Sequence, residues 1–442
     1  MLGGFKEGVA FAEKPCRTCE IKHEDLGESL NEKQHPRRNL IEHTDRCNRL
    51  DELNKTLRRY WSRKYGDTTR SILMQAPEFD VTDAILHDPM HVLLEGVVKL
   101  EIQLMLDEFI NKSKYITLQS LNVAIRNFDY STKELKDRPQ ELEMKSLDRG
   151  NVLPMTAIEI KNFMIILPFL IGENIPDDDQ RWKNFIRILN ITNLVLSPVA
   201  SDTTVNNLEQ LIHEHNSQFK ILYPEVNLTP KFHYMVHFPN QIKKSGPGRN
   251  HHCVRFEAKH SLFKNKKWRN FKSIQKSAAL YHQRWMCLQQ NGNNGDTSDS
   301  YLYQGDIVRE GEIINFEILP DPVKHVIRSN VSNEPTHVMS TNMVSIHSRE
   351  YCMGSVLIAD NEDEPKFVLV EKIYVLNNEK YFFTSELEVL EFNSHLNAFE
   401  CITTDRRIAI MATGLKYKWP QNVHYFNGHM HVMLNNVDFA WC

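Results

Sequence analysis

The chain has 442 residues, 41% of them hydrophobic and 25% charged, with a formal net charge of −4. That length admits two or three domains with their own cores, and the composition excludes a low-complexity or disordered chain. Its eight cysteines, at 16, 19, 47, 253, 287, 352, 401 and 442, are too thinly spread for a disulfide scaffold, so a reducing, intracellular compartment is the expectation.

In chain order, the N-terminal MLGGFKEGVAFAEKP has no basic-then-apolar leader, and no signal peptide is expected. CRTC follows at 16–19, then a polar, charge-rich stretch over 20–47 that reads as a loop or a poorly packed arm. DELNKTLRRYWSRKYG (51–66) reads as a short basic helix ending at Gly66. In HDPMH, Asp88 is a natural N-cap with Pro89 at the first helical position. From Met90 the apolar residues Leu93, Leu94, Val97, Val98 and Leu104 predict a long helix.

Helices are expected to dominate up to residue 287. Thr156 and Glu159 have capping-box spacing, and DDDQRW and Ser201 or Asp202 mark two further helix starts. The most apolar run, FMIILPFLI at 163–171, contains Pro168 and predicts a buried helix and not a membrane span. RFEAKHSLFKNKKWRNFKSIQKSAALYHQRWM predicts one more long helix, apolar on one side and basic on the other.

QQNGNNGDTSDS (289–300) reads as a linker. Beyond it SVLIAD, KFVLVEKIYVL and KYFFTSELEVL alternate with period two, and Asn377-Asn378 and Asn427-Gly428 mark hairpins. Residues 301–442 are therefore expected to form a separate β-rich domain, a small barrel.

Charge is unevenly placed. Residues 241–276 hold eleven Lys or Arg and one acid, Glu257, whereas 301–442 hold eleven Lys or Arg against nineteen Asp or Glu. A polyanion would be drawn to the basic stretch, through Lys243, Lys244, Arg255, Lys259, Lys264, Lys266, Lys267 and Arg269. The bland alternative is a solvated helical face.

Cys16 and Cys19 have the reach of a zinc half-site. His43 and Cys47 would complete it locally as Cys₃His; His233 and His237, four apart in KFHYMVHFPN, would complete it at long range as Cys₂His₂. Core packing of the histidines and buried thiols are the structural alternatives. Asp88 and His91 read either as a helix cap or as a supporting pair in which the carboxylate orients the imidazole.

Three blocks carry a resemblance. SILMQAPEFDVTDAILHDPMHVLLEGVVKLEIQLML looks like the segment around the Asp-x-x-His motif of cut-and-paste transposases of the CACTA (EnSpm) type and their animal relatives. PKFHYMVHFPNQIKKSGPG with CVRFEAKHSLFKN is similar to their later catalytic block, and LGGFKEGVAFAEKPCRTC resembles the stretch after their second catalytic aspartate. The β-rich tail also resembles the C-terminal part of the animal members.

The resemblance implies an RNase H-like core with two Asp and a Glu, split by an all-helical insertion. Glu257 matches the Glu, and residues 90–230 or so match the insertion. The catalytic subunit of the V(D)J recombinase, a distant relative by architecture, binds zinc with an equivalent Cys pair and His pair. By that analogy Cys16, Cys19, His233 and His237 form one zinc site, which sets the helix bearing Glu257. Both family aspartates would precede Cys16 by more chain than this sequence has, and Asp67, Asp80 and Asp83 lie after the cysteines, out of order for them.

The expectation is an α+β protein, truncated at its N-terminus. It has a zinc-half-site arm (1–50), a helical insertion with the Glu-bearing part of a transposase domain (51–288), a linker (289–300) and a β-rich domain (301–442). Its expected function is that of a transposase-derived DNA-binding protein, inactive alone in strand cleavage. Zinc would be structural, with Mg²⁺ or Mn²⁺ entering only if the missing carboxylates are supplied. The alternatives are a domesticated nucleic-acid- or protein-binding module and a non-functional truncated product. DNA is the expected partner, a homo-oligomer the other association considered, a membrane none; nuclear residence follows from the resemblance.

Overall fold

The computed structural model describes residues 4–6, 11–28, 30–130, 135–148, 150–268, 272–291, 306–347, 349–361, 364–426, 428–435 and 437. The chain is α+β, a helical N-terminal body followed by an antiparallel sheet. It divides into two compact units between Val254 and Arg255, so the basic stretch is shared between them.

In the first unit, α1 (Leu40–Glu52) corrects the loop expected there. Its polar sequence conceals a buried stripe of His43, Cys47 and Leu50, spaced four and three apart, and Asn39 caps it by accepting from Glu42 N–H. α2 (Lys55–Tyr65) ends as expected at Gly66, which takes φ +75°; a Cβ there would lie 2.2 Å from the Lys14 carbonyl oxygen.

The helix expected from Met90 runs as a π-helical segment (Met90–Val97), then α3 (Val98–Asp107), then a second π-helical turn (Glu108–Lys112). Wide turns of this kind gather at functional sites. α4 (Leu118–Asn127) and α5 (Ala157–Ile171) follow, α5 starting on the Thr156–Glu159 capping box. FMIILPFLI is a buried helix despite Pro168, with Phe163, Ile166 and Leu167 fully enclosed. Each such side chain contributes roughly 1.5–3 kcal/mol by leaving water.

α6 (Gln180–Val195) is capped by Asp179 and α7 (Asp202–Leu222) by Ser201. α3 packs on α5 and α6, and α6 on α7. Inside this bundle Glu101 meets His215 at 2.5 Å and Asn184 at 2.8 Å, all three fully buried. α8 (Pro230–Met235) and α9 (Phe238–Ser245) complete the body. This unit has isolated β-bridges but no β-strand among its described residues.

In the second unit the long basic helix is a pair, a correction to the sequence reading. α10 (Val254–Lys264) and α11 (Ile274–Asn291) are separated at NKKW, where consecutive lysines repel and the Trp268 indole N–H caps the Phe263 carbonyl at 3.2 Å. The strands are β1 (Ile307–Asn315), β2 (His337–Ile346), β3 (Arg349–Cys352), β4 (Val356–Asn361), β5 (Pro365–Leu376), β6 (Glu379–Asn393), β7 (Ala398–Met411), β8 (Asn422–Phe426) and β9 (His429–Met433). They pair antiparallel in the order β1-β2-β5-β6-β7-β9-β8, with β3 on β2 and β4 on β5.

The sheet is curled, with β1 and β8 at the two ends of the strand order, and Gln421, just before β8, bridges back to Val356 of β4, its N–H donating to the Val356 carbonyl at 2.8 Å. The sheet buries both faces. Ile373 and Phe382 join Leu357 and Val368 on one, and Tyr374 and Tyr381 join Phe316, Val323 and Ile327 on the other. Val323 and Ile327 belong to α12 (Asp321–Asn330), a helix unanticipated in the sequence reading. Two covered faces explain why KFVLVEKIYVL is nearly continuous in apolar residues. Asn377 and Asn378 take φ of 50° and 68°, the left-handed pair of a tight hairpin turn. Asn427 and the linker residues 292–300 lie outside the described residues.

Candidate metal centre

Cys16 and Cys19 stand on one tight turn, in which Thr18 N–H donates to Cys16 Sγ at 3.3 Å. Its backbone is strapped from outside. Arg38 N–H donates to the Thr18 carbonyl and Glu20 N–H to the Pro36 carbonyl, each at 2.9 Å. The Arg38 side chain, itself buried, donates through Nε to the Cys16 carbonyl at 2.7 Å and is held by Asp67 at 3.2 Å.

His233 and His237 come from 214 and 221 residues away from their cysteine partners. The helix carrying them breaks at Val236–His237, where Pro239 cannot donate a backbone hydrogen bond, so they straddle α8 and α9 and do not share one straight helix face. Two bonds fix α8: Asn216 Nδ2 donates to the Phe232 carbonyl at 3.1 Å, and the Tyr234 hydroxyl donates to the Pro15 carbonyl at 2.7 Å. The second bond ties the histidine helix to the residue just before Cys16.

The four side chains converge. His233 Nε2 is 3.1 Å from Cys19 Sγ, His237 Nε2 is 3.4 Å from Cys16 Sγ, and the two Nε2 atoms are 3.1 Å apart. All four donor atoms lie within 4.8 Å of one another, and all four residues are buried. Zinc bonds of about 2.0–2.3 Å give a tetrahedron with edges of roughly 3.3–3.8 Å, close to these separations. Two imidazole nitrogens 3.1 Å apart with two sulfurs beside them can share a cation, a proton or a metal ion. The donor set is therefore one that can hold a metal ion.

Surrounding groups set the charge and tautomers. Burial works to raise the Cys16 thiol, but its hydrogen bond with Cys19 and the His237 and His233 rings outweigh this and hold it well below its ordinary value. Cys19 moves the other way, raised by that same hydrogen bond and by burial. Burial alone would lower His237; Cys16 and Glu32 on either side lift it to about 9. Glu32 Oε1 accepts from His237 Nδ1 at 3.0 Å, which leaves Nε2 facing the sulfurs. Glu32 is itself held by Asn240 Nδ2 at 3.3 Å and Arg37 at 3.2 Å.

A third ring, His87, stacks on His237 with centroids 5.4 Å apart. Burial and the adjacent Arg17 push it down to about 3, so it is neutral at physiological pH. Arg17 can only donate to Nδ1, at 3.4 Å, so Nε2 carries the proton and bonds Thr18 Oγ1 at 3.0 Å. Gln241 clamps the His87 backbone, accepting from its N–H at 3.1 Å and donating to its carbonyl at 3.2 Å.

His43 and Cys47 lie elsewhere. His43 Nδ1 pairs with Asp67 at 3.0 Å, and burial, with Asp67 nearby, pushes the Cys47 thiol up to about 12. Asp88 both caps and orients: it accepts from Met90 N–H at 3.3 Å, His91 N–H at 3.2 Å and Cys253 N–H at 2.9 Å, and it also meets His91 Nδ1. Glu257 is exposed in the second unit and pairs with His260 at 3.0 Å.

Lys243 and Lys244 are exposed on α9, Lys244 bonding Asp83 at 2.5 Å. Lys259, Lys264, Lys266 and Lys267 are exposed in the second unit; Lys259 lies over Trp285 at 5.0 Å and Lys266 over Tyr281 at 3.9 Å. Arg269 and the Arg255 side chain lie outside the described residues. Glu32, His87, Thr18 and Arg38 escaped the sequence reading, because none sits at a recognisable spacing from the cysteines or histidines it serves.

No family model matches the chain, and no curated protein matches it either. Among the described residues no helix is long and apolar enough to cross a membrane.

Proposed function

We propose that this chain is a DNA-binding protein derived from a cut-and-paste transposase, stabilised by a structural zinc ion on Cys16, Cys19, His233 and His237. The carrying observation is the meeting of those four side chains in one buried cluster across more than 200 residues of chain. A closed set of four N and S ligands is the pattern of structural zinc, which ties segments together and leaves no position for substrate. Here the tie joins the N-terminal knuckle to the start of the basic stretch.

The chain does not cleave strands alone. Two-metal phosphoryl chemistry needs several carboxylates around both ions. Glu257 is the only one the transposase resemblance carries over. The aspartates that follow the cysteines in the chain have structural duties: Asp67 binds Arg38 and His43, Asp80 accepts from Thr82, and Asp83 pairs with Lys244. Mg²⁺ or Mn²⁺ therefore enters only with carboxylates supplied from outside this sequence. Nuclear residence belongs to the same reading.

Salt-dependent DNA binding tests it. Replacing Lys264, Lys266 and Lys267 with Gln should weaken binding and reduce the slope of log K against log salt by about 0.9 for each phosphate contact removed. Unchanged affinity and slope would overturn the DNA-binding reading.

A further inference from the structure

We propose that Asp88, His91 and Cys253 form a second divalent-metal site, separate from the Cys₂His₂ cluster. A carboxylate oxygen, an imidazole nitrogen and a thiol sulfur from these residues lie within 4.8 Å of one another, and all three residues are half-buried. The grouping is built in. Asp88 immediately precedes the helix begun by Pro89, and His91 follows three residues later, on the π-helical segment. Cys253 is delivered from 165 residues away by its own N–H, which donates to Asp88 Oδ1 at 2.9 Å.

Capping accounts for Asp88, and packing against Met90, Leu94 and Ala157 seats the Cys253 side chain beside it. Asp88 Oδ1 takes the Met90 and Cys253 N–H groups, and Oδ2 takes the His91 N–H and ring Nδ1. A helix cap needs neither an imidazole nor a sulfur beside it. An ion can take over the contact between Oδ2 and Nδ1 while the backbone bonds stay in place.

Mixed O, N and S donors suit borderline ions such as Zn²⁺ or Co²⁺ over Mg²⁺ or Ca²⁺. Three protein ligands leave a fourth position open, as in sites with an exchangeable ligand. Asp88 and His91 also line a cavity of about 640 Å³, whose walls include Lys99 and Lys231. Their ammonium groups are anchored to the Met155 and Glu95 carbonyls at 2.7 and 2.8 Å. Those cations favour an anionic fourth ligand, hydroxide or an oxyanion, in place of a further side chain. Glu95 Oε2 is 3.7 Å from His91 Nε2 and steadies the outer edge of the ring.

The test is metal stoichiometry of the full-length protein, equilibrated with Zn²⁺ and desalted, with Co²⁺ titration as a visible readout. Wild-type protein should bind two ions per chain, the weaker giving a Co²⁺ spectrum with less sulfur charge-transfer intensity, as befits one thiolate. His91→Ala and Cys253→Ala should each lose that ion alone, whereas Cys16→Ser should lose the other. Failure of the Cys₂His₂ reading is thus seen separately from failure of this one. A wild-type protein whose Co²⁺ spectrum saturates without a single-thiolate component would overturn the proposal, whether or not the variants fold. So would retention of both ions in His91→Ala and Cys253→Ala.

Discussion

Glu32 offers a sharp test of how the cluster is tuned, because it touches no sulfur and would be passed over in any motif search. Its Oε1 sits 3.0 Å from His237 Nδ1, and its side chain is only 18% exposed, so solvent screens the pair weakly. Outer carboxylates of this kind typically contribute ten- to a hundred-fold to metal affinity, about 1.4–2.7 kcal/mol, by fixing the tautomer and raising ligand basicity. Glu32→Gln keeps an acceptor oxygen for Nδ1–H but removes the charge, and should fall near the lower end. Glu32→Ala removes both, releases Asn240 and Arg37 as well, and should approach the upper end. Zinc affinity by competition with a chromophoric chelator reads both variants, with circular dichroism confirming the fold. Equal affinity in wild type and Glu32→Ala would refute the role assigned to Glu32 and weaken the case that His237 Nε2 is a ligand.

Gly66→Ala should destabilise the first unit by about 1–3 kcal/mol, since φ +75° is unfavourable for alanine and the new Cβ meets the Lys14 carbonyl; thermal melting checks this. Breaking the Glu101–His215 pair with His215→Ala strands a fully buried carboxylate and should cost about 3–5 kcal/mol, read as a lower urea midpoint at unchanged slope. Acid should weaken the knuckle only once the pH falls below about 4.3. Burial works to raise the Glu20 carboxyl, but Arg38, Arg46 and Lys14 hold it below the usual carboxylate range. Its contribution is therefore full above its unfolded pKa of about 4.3 and lost as pH falls through the lower folded value. Glu20→Gln should flatten that part of the stability–pH curve.

The sequence carried the local signals well. Caps at Thr156, Asp179 and Ser201 start helices as their chemistry requires, and the paired asparagines at 377 and 378 make the hairpin turn. Where polar residues take structural roles, local pattern failed. α1 reads as a solvated arm because His43, at its buried stripe, is satisfied by Asp67, which lies far along the chain. α12 was missed because its short apolar set, Val323 and Ile327, has meaning only against the sheet it covers. In the candidate metal centre, spacing exposed CRTC and the histidine pair but could not choose between His43 with Cys47 and His233 with His237. The transposase resemblance made that choice, and the fold brings the distant pair to the cysteines. Glu32 and His87 stayed hidden because contacts made over some 200 and 70 residues leave no periodic trace.

The most direct test of the central claim is zinc per chain in purified full-length protein, wild type against the double variant Cys16→Ser, His233→Ala. The account predicts that the double variant holds one ion fewer than wild type. Equal zinc in the two proteins would contradict it.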